Sequence, residues 1–248
     1  MTLRLIDEGE FDEPMHHALD QVMLDRLNAG EIDPTVRFWY RTGSAIPLGR
    51  FQAYADEVAV DYVESQDIDV VRRITGGGAM FAEPGDVITY SMYLPASIVP
   101  EDIEESYAGL NQWVLDGLQS AGLEAFHEPL NDISHPEGKI GGSAQLRSGD
   151  AVLHHSTMSY SLDLEAMLKA LRIGKEKVSD KAVKSAEKRV ARITDHVAGS
   201  RRDVIDSLVD ALDSTYGTRA ATYEPETLEA ARELVDETFR SEEWNKRL

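Results

Sequence analysis

Apolar residues recur at helical spacing at Met15, Leu19, Val22, Met23 and Leu27, and Gly30 stands where that helix should stop. Val36 to Arg41 reads as a strand. Asp69 to Arg73 reads as another and runs straight into Gly76-Gly77-Gly78. Residues 87–94 alternate, with Ile88, Tyr90, Met92 and Leu94 on one face and Thr89 and Ser91 on the other. Pro100 is expected to open a helix with Glu101 and Asp102 in its first turn, where acids suit the helix dipole. Its stripe is Ile103, Tyr107, Leu110, Val114, Leu118 and Ala121, and Gly122 ends it. Residues 139–147 and 151–161 form two predicted strands around a Ser148-Gly149-Asp150 turn. Leu164, Met167, Leu168 and Leu171 mark a short helix, and beyond residue 175 the pattern stays helical. Ser200 to Asp203 resembles a capping box before Val204, Ile205, Leu208, Leu212 and Tyr216. A last helix carries Leu228, Ala231, Leu234, Val235 and Thr238.

Strands therefore gather before residue 161 and helices fill about 163–248. That order predicts an α+β class, a mixed β-sheet domain flanked by helices, rather than strict βαβ winding. No linker stands out, so a single domain over 1–248 is expected. The N-terminus turns acidic before any apolar run is long enough for a signal peptide, and no stretch approaches a membrane span. A cytoplasmic protein without a membrane partner is the expectation.

Composition narrows the chemistry. The chain has 248 residues, a formal charge of −20 and no cysteine. A charge so negative argues against a nucleic-acid surface, which needs clustered Lys and Arg. Only 8 of its 25 basic residues are lysine, and the acid excess is spread along the whole chain. This resembles proteins of salt-loving organisms, whose hydrated carboxylates are screened by dense salt. With no cysteine there is no disulfide, no Cys-type zinc site and no thiol nucleophile.

Three segments could carry chemistry. In Arg72-Arg73-Ile74-Thr75-Gly76-Gly77-Gly78 the glycines allow close backbone approach to a ligand, and two arginines could grip a phosphate or carboxylate. The segment is neither a P-loop nor a Rossmann fingerprint, and a Gly triplet alone is commonly a turn. The second is Asn131-Asp132-Ile133 followed by Gly138 to Gln145. Glycines around Lys139 strip away shielding side chains, so its charge could stabilise a reacting carboxylate or phosphate; a solvated hairpin lysine is the plain reading. Asn131 and Asp132 offer oxygens suited to Mg²⁺ or a ribose. Ser143 does not sit in a G-x-S-x-G elbow. The third is Leu153-His154-His155-Ser156-Thr157, where adjacent strand histidines point to opposite faces, so at most one lines a given pocket. His16-His17 lacks the H-E-x-x-H pattern and reads as surface or partly buried.

In this order the segments resemble the lipoate–protein ligase family, within the wider group of lipoate and biotin ligases and octanoyltransferases. The resemblance runs from His17–Asp25 through Leu48–Gln52, Arg72–Phe81, Asn131–Ile133, Lys139–Gln145 and Leu153–Thr157 to Val183–Val190. The R-x-[ST]-G-G-G and K-[IV]-x-G-[ST]-A blocks are its specific part. It implies the biotin/lipoate ligase-like catalytic fold. It also implies that Lys139 contacts the lipoyl carbonyl and the α-phosphate side. Arg73, Thr75, Gly76, Gly77 and Gly78 would line the lipoyl-adenylate pocket, with Ser143 and Ala144 completing the lysine block. Asn131 and Asp132 would lie near the nucleotide, Asp132 toward Mg²⁺, and His155 near the acyl pocket. The chain departs from the family at Phe81-Ala82-Glu83, where Phe-His-Asp is common.

The implied substrates are ATP, with Mg²⁺, and lipoate. The implied partners are lipoyl domains of 2-oxoacid dehydrogenase complexes or the glycine-cleavage H protein. Many octanoyltransferases hold the acyl group on a cysteine, which this chain lacks, so ATP-dependent ligation is favoured. A cysteine-free octanoyl or lipoyl transferase and a non-catalytic lipoate-binding relative remain as alternatives. Some ligases of the family carry a small C-terminal accessory domain. Here the chain stops at Leu248, soon after Trp244-Asn245, so a separate accessory subunit is expected.

Overall fold

The alternation in residues 87–94 is the key to the architecture, because both of its faces are covered. A computed structural model describes residues 1–172 and 189–248. Its strands are Leu3–Ile6 (β1), Glu10–Phe11 (β2), Thr35–Arg41 (β3), Ala45–Leu48 (β4), Asp69–Arg72 (β5), Val87–Pro95 (β6), Phe126–Glu128 (β7), Asp132–His135 (β8), Gly138–Ser148 (β9), Ala151–Ser159 (β10) and Thr218–Ala220 (β11). The main sheet runs β11-β1-β3-β6-β10-β9-β8-β7, with β2 beside β3, while β4 and β5 pair separately. β11, β1 and β3 are parallel, and from β3 through to β7 the pairs are antiparallel. The mixed sheet and the α+β class are as predicted.

Helices Glu13–Asn28 (α1), Tyr54–Glu57 (α2), Val60–Ser65 (α3), Ile103–Ser120 (α4), Leu164–Ala170 (α5), Arg201–Tyr216 (α6), Pro225–Leu234 (α7) and Glu242–Asn245 (α8) flank the sheet. One face packs on α4 and α6: Phe38, Ile88, Tyr90, Met92 and Met158 meet Trp113, Val114 and Leu118 of α4 and Leu208 and Leu212 of α6. The two helices cross closely at Gly117, where a β-carbon would lie 2.8 Å from Leu208 Cα. The opposite face is covered by α1, held at its start by Asp12, which accepts from Met15 N at 3.0 Å. The Ser200–Asp203 capping box is present at α6.

Several expectations need correction. The helix at 103–120 begins after Asp102 rather than at Pro100. Asp102 is extended and accepts from Glu105 N at 3.0 Å, so it caps the helix from outside. The region 163–248 is not helical throughout, since Thr218–Ala220 adds a parallel edge strand to β1. A three-residue edge strand with exposed side chains carries no periodic signal. His16 and His17 are buried, not on the surface. The ring of His16 stacks on Trp39 at 4.6 Å and bonds the Tyr40 carbonyl at 3.0 Å. The helical pattern expected from residue 175, and most of the Val183–Val190 block, lie outside the described residues. Among those residues no helix is long and apolar enough to cross a membrane.

Candidate active site

Strand register assembles the site. His155 of β10 lies opposite Ala144 of β9 and Ser91 of β6, and Thr157 lies opposite Gly142 and Thr89. Thr89 in turn lies opposite Trp39 of β3. These side chains share the face under α1, and above them lies a cavity of about 280 Å³. Arg73, Gly77, Gly78, Lys139, Asn131, Ser143, Ala144 and His155 all line it. Phe81, Leu162, Met167 and Leu171 give it apolar walls.

A buried hydrogen-bond chain holds the glycine loop over the cavity. Arg73 Nε donates to Thr75 Oγ1 at 3.0 Å. Thr75 Oγ1 lies 2.8 Å from His155 Nε2, and His155 Nδ1 lies 2.8 Å from Asp20 Oδ2. One tautomer satisfies all three contacts: Nδ1–H donates to Asp20, and Nε2 accepts from the threonine hydroxyl. Burial lowers the pKa of His155, against the opposing pull of Asp20, so the neutral ring is the stable form. Burial alone would raise the pKa of Asp20. Arg37, which donates to Oδ1 at 2.7 Å, and the hydrogen bond from His155 outweigh it and hold the carboxyl well below the usual range. Ser91 and Tyr93 also donate to Oδ1, at 2.7 and 2.6 Å.

Arg73 faces the cavity with neutral partners. Its NH1 donates to the Pro47 carbonyl at 3.0 Å and its NH2 to the Gly76 carbonyl at 2.6 Å. It is 6% exposed, and among the described residues no carboxylate forms an ion pair with it. Burial lowers its pKa to about 10, so it stays charged at neutral pH. A buried cation with only neutral partners is a place where an anion would be stabilised. The loop can turn here because Gly77 has φ +99°. The carbonyl of Gly77 packs so tightly on Gly49 that a β-carbon there would lie 1.9 Å from it.

Lys139 stands across the cavity, half-exposed, with Nζ 2.7 Å from Asp132 Oδ1. Its backbone is pinned on both sides: its N–H donates to Arg189 O and its carbonyl accepts from Ala191 N, each at 2.9 Å. Asn131 Nδ2 donates to Ser143 O at 2.6 Å, which ties β8 to β9. Ser143 Oγ points to the other face and donates to Asn111 Oδ1 at 2.9 Å. His154 also points there, 3.0 Å from the same oxygen, so the two histidines do face opposite ways. Asp132 has one oxygen in the lysine ion pair, and among the described residues no three His, Asp or Glu side chains converge on a metal position. This donor set does not fit a resident magnesium ion.

Two of the expected cations thus divide. Arg73 borders the cavity, but Arg72 does not. Arg72 is fully buried and donates to the carbonyls of Gly49, Gln52, Trp244 and Asn245 at 2.7–3.0 Å. It is a structural cross-link, and its reading as an anion ligand is corrected. Ala82 is buried in a backbone bridge with Ala45 and brings no polar group to the site. Asp20 and the cavity-lining Glu13 and Arg41 were not singled out from the sequence, and His17, read there as surface or partly buried, lines the cavity too. Arg41 Nε donates to Glu13 Oε2 at 2.7 Å, and His17 Nε2 bonds Glu13 Oε1 at 3.1 Å. Asp20 falls one turn after His16 on the inner helix face, which was the available signal, but an acid there reads as solvent-facing.

Residues 12–213 match the model of the lipoyl protein ligase A/B catalytic domain. The chain is 33% identical over 245 residues to lipoate-protein ligase A subunit 1 of Thermoplasma acidophilum, covering 93% of this chain and 91% of that one. It is 28% identical over 273 residues to octanoyltransferase LipM of Geobacillus kaustophilus, covering 98% and 97%. Among solved structures, the Thermoplasma acidophilum bipartite lipoate protein ligase superposes with a TM-score of 0.89 at 32% identity over 99% of this chain and 96% of that one. A lipoate-protein ligase A bound with ATP superposes at 0.87 and 28% identity, over 99% of each chain. The loop that Arg73 clamps and the strand pair that carries Lys139 and His155 thus fall within the matched span, and the chain belongs to the lipoyl protein ligase A/B catalytic domain family.

Proposed function

We propose that this protein is an ATP-dependent lipoate–protein ligase. It joins lipoate to AMP and then passes the lipoyl group to a lysine of a lipoyl domain, of a 2-oxoacid dehydrogenase complex or of the glycine-cleavage H protein. The observation that carries this reading is a cavity whose cations, besides Arg41 held by Glu13, are buried Arg73 with only neutral partners and half-exposed Lys139, in a chain without a thiol.

A carboxylate is a poor acyl donor. In the first step its oxygen attacks the α-phosphorus of ATP, the α–β phosphoanhydride bond breaks, and pyrophosphate leaves. Attacker and target are both anionic, so fixed positive charge between them lowers the barrier. Lys139 and Arg73 are the groups that supply it. Any magnesium ion would be held mainly by the nucleotide phosphates, where it would offset their charge with few protein ligands. In the second step the acceptor amine attacks the acyl carbon, and the bond to the AMP oxygen breaks. AMP leaves and the amine proton passes to water. Lys139 then stabilises the charge that gathers on the carbonyl oxygen. The chain from Asp20 through His155 and Thr75 keeps Arg73 aimed while this happens. Thr75, the three glycines, Asn131, Asp132 and Ala144 hold the adenylate, while Ser143, whose hydroxyl points to the other face, contributes only its backbone to the cavity wall. The similarity to subunit 1 of the Thermoplasma acidophilum bipartite ligase supports a separate small accessory subunit for full lipoate activation.

The test is lipoate-dependent pyrophosphate release from ATP by the pure protein, with and without the candidate accessory subunit. Lys139→Ala should lower the rate by about 10²–10³. An unchanged rate in that variant removes Lys139 from the mechanism. A second reading, octanoyl transfer from an acyl carrier without ATP, is favoured by the similarity to octanoyltransferases. It requires direct transfer, since the chain has no cysteine to hold a thioester.

A further inference from the structure

The segment 49–52 presents an aromatic ring to solvent on a rigid support. Phe51 is 75% exposed. Every neighbour that carries it is locked. Arg72 NH1 donates to the carbonyls of Gly49 and Gln52 at 3.0 and 2.7 Å, and Gly49 N donates to Gln52 Oε1 at 2.9 Å. Arg50 N donates to Thr75 O at 2.9 Å, so the segment is fastened to the glycine loop. The ring edge of Phe51 lies 3.8 Å from where a β-carbon of Gly76 would be, yet neither Phe51 nor Arg50 lines the cavity. A rigid, exposed aromatic at the rim of a site fits the kind of anchor that dominates protein interfaces.

The positive charge beside this ring is not offset by an ion pair with a carboxylate among the described residues. Arg26, Arg192, Arg202, Arg219 and Arg240 each pair with a carboxylate, while Arg147, Arg172 and Arg201 donate to backbone carbonyls. Arg50 and Arg247 pair with no carboxylate among the described residues. Arg50 lies over Phe51 at 5.8 Å, and Arg247 lies over Trp244 at 4.1 Å. Arg247 NH2 also donates to Arg50 O at 3.0 Å, which brings two cations together beside buried Arg72. Partial burial, then the neighbouring charge of Arg50, lowers the pKa of Arg247. A chain of net charge −20 repels acidic partners over most of its surface. At this rim two arginines without a carboxylate partner meet beside an exposed ring, which would attract such a partner, and steering of that kind sets association rate and register.

We propose that Arg50, Phe51 and Arg247 form the docking rim for the acceptor protein domain, which presents an acidic and apolar face beside its acceptor lysine. This rests on the reading of the protein as one that acylates a lysine. The rim borders the loop that Arg73 clamps, so an acceptor seated there has its lysine close to the acyl carbon. The occupant is the acceptor rather than a nucleotide, because Phe51 projects outward and lies outside the cavity.

The test uses the whole chain with an apo lipoyl domain. Phe51→Ala should raise the acceptor KM about thirtyfold, as loss of an interface anchor does. Arg50→Glu combined with Arg247→Glu should raise it further and reverse its salt dependence. Lipoate-dependent pyrophosphate release and the KM for ATP should not change. An acceptor carrying a carboxylate-to-lysine change beside its acceptor lysine should recover activity with the doubly reversed enzyme. An unchanged acceptor KM overturns the proposal. So does a raised KM for ATP, which would assign the rim to the nucleotide. So does a defect cured by adding more accessory subunit, which would assign it to that protein. If the wild-type chain releases no pyrophosphate, the ligase reading fails separately, and the acceptor KM is then read from octanoyl transfer.

Discussion

The two faces of the central sheet are built from the same strands and serve opposite ends. Under α4 and α6 the face is mainly apolar: Phe38, Ile88, Tyr90, Met92 and Met158 are buried against leucine, valine and tryptophan, around one polar cluster of Asn111, Ser143 and His154. Under α1 the alternate residues of those strands are Arg37, Trp39, Thr89, Ser91, His155 and Thr157, equally buried but polar. The first face gains from area removed from water and tolerates no voids. The second is held by directed bonds that converge on Asp20, and it leaves room for a cavity. Packing on one side thus fixes a platform on which a hydrogen-bond chain on the other can aim Arg73. The converging bonds matter because an unpaired buried polar group costs stability.

That contrast can be broken from either side. The largest effect is expected from Asp20→Asn, which leaves Arg37 buried without its charge partner. Stability should fall by about 3–5 kcal/mol, with pyrophosphate release lost as well, seen by urea unfolding and assay together. Leu208→Ala on the apolar side should cost about 2–5 kcal/mol in the same unfolding experiment. Here turnover per folded molecule should stay at the wild-type level. Loss of turnover in that variant would mean the faces are not separable. Thr75→Val keeps the shape but removes the hydroxyl between His155 and Arg73. Leaving Arg73 Nε and His155 Nε2 without that partner should lower stability by roughly 1–3 kcal/mol, and adenylate formation per folded molecule should drop as well because Arg73 is no longer aimed.

The smallest effect is a pH slope. Burial holds His154 neutral, with a pKa of about 3, and also lowers the pKa of His16 and His155. Below about pH 6.5 the unfolded chain takes protons on these rings that the folded chain does not, so stability falls as pH falls. The window runs from about 6.5 down to about 3. Glu13 and Asp20, whose pKa values are lowered, contribute fully above the unfolded carboxylate range and are lost only below it. His154→Gln should flatten the slope between pH 6 and 5 by about 1.4 kcal/mol per pH unit. A slope that does not change would show that His154 is charged in the folded protein.

Much of this was legible in the sequence where the signal is local. Helices α1, α5 and α6, the hairpin at Ser148–Asp150 and the opposed directions of His154 and His155 follow from spacing alone. The glycines near Arg73 and Lys139 marked the loop and strand that border the cavity. What could not be read depends on partners distant in the chain. Arg72 looked like half of an anion clamp, but Trp244 and Asn245, 172 and 173 residues away, consume its donors. His16 and His17 looked superficial because nothing local says that Trp39 will stack on one of them. Asp20 is the hub of the polar face, yet an acid on an amphipathic helix ordinarily signals solvent.

The central claim is that Arg73 and Lys139 serve adenylate chemistry at the cavity, and intact mass tests it most directly. An apo lipoyl domain would be incubated with this protein and lipoate, with and without MgATP, or with octanoyl carrier protein and no nucleotide. The account predicts a lipoyl mass shift that appears only with ATP and is lost in Lys139→Ala. An octanoyl shift without ATP, with no lipoyl shift when ATP is present, would contradict it.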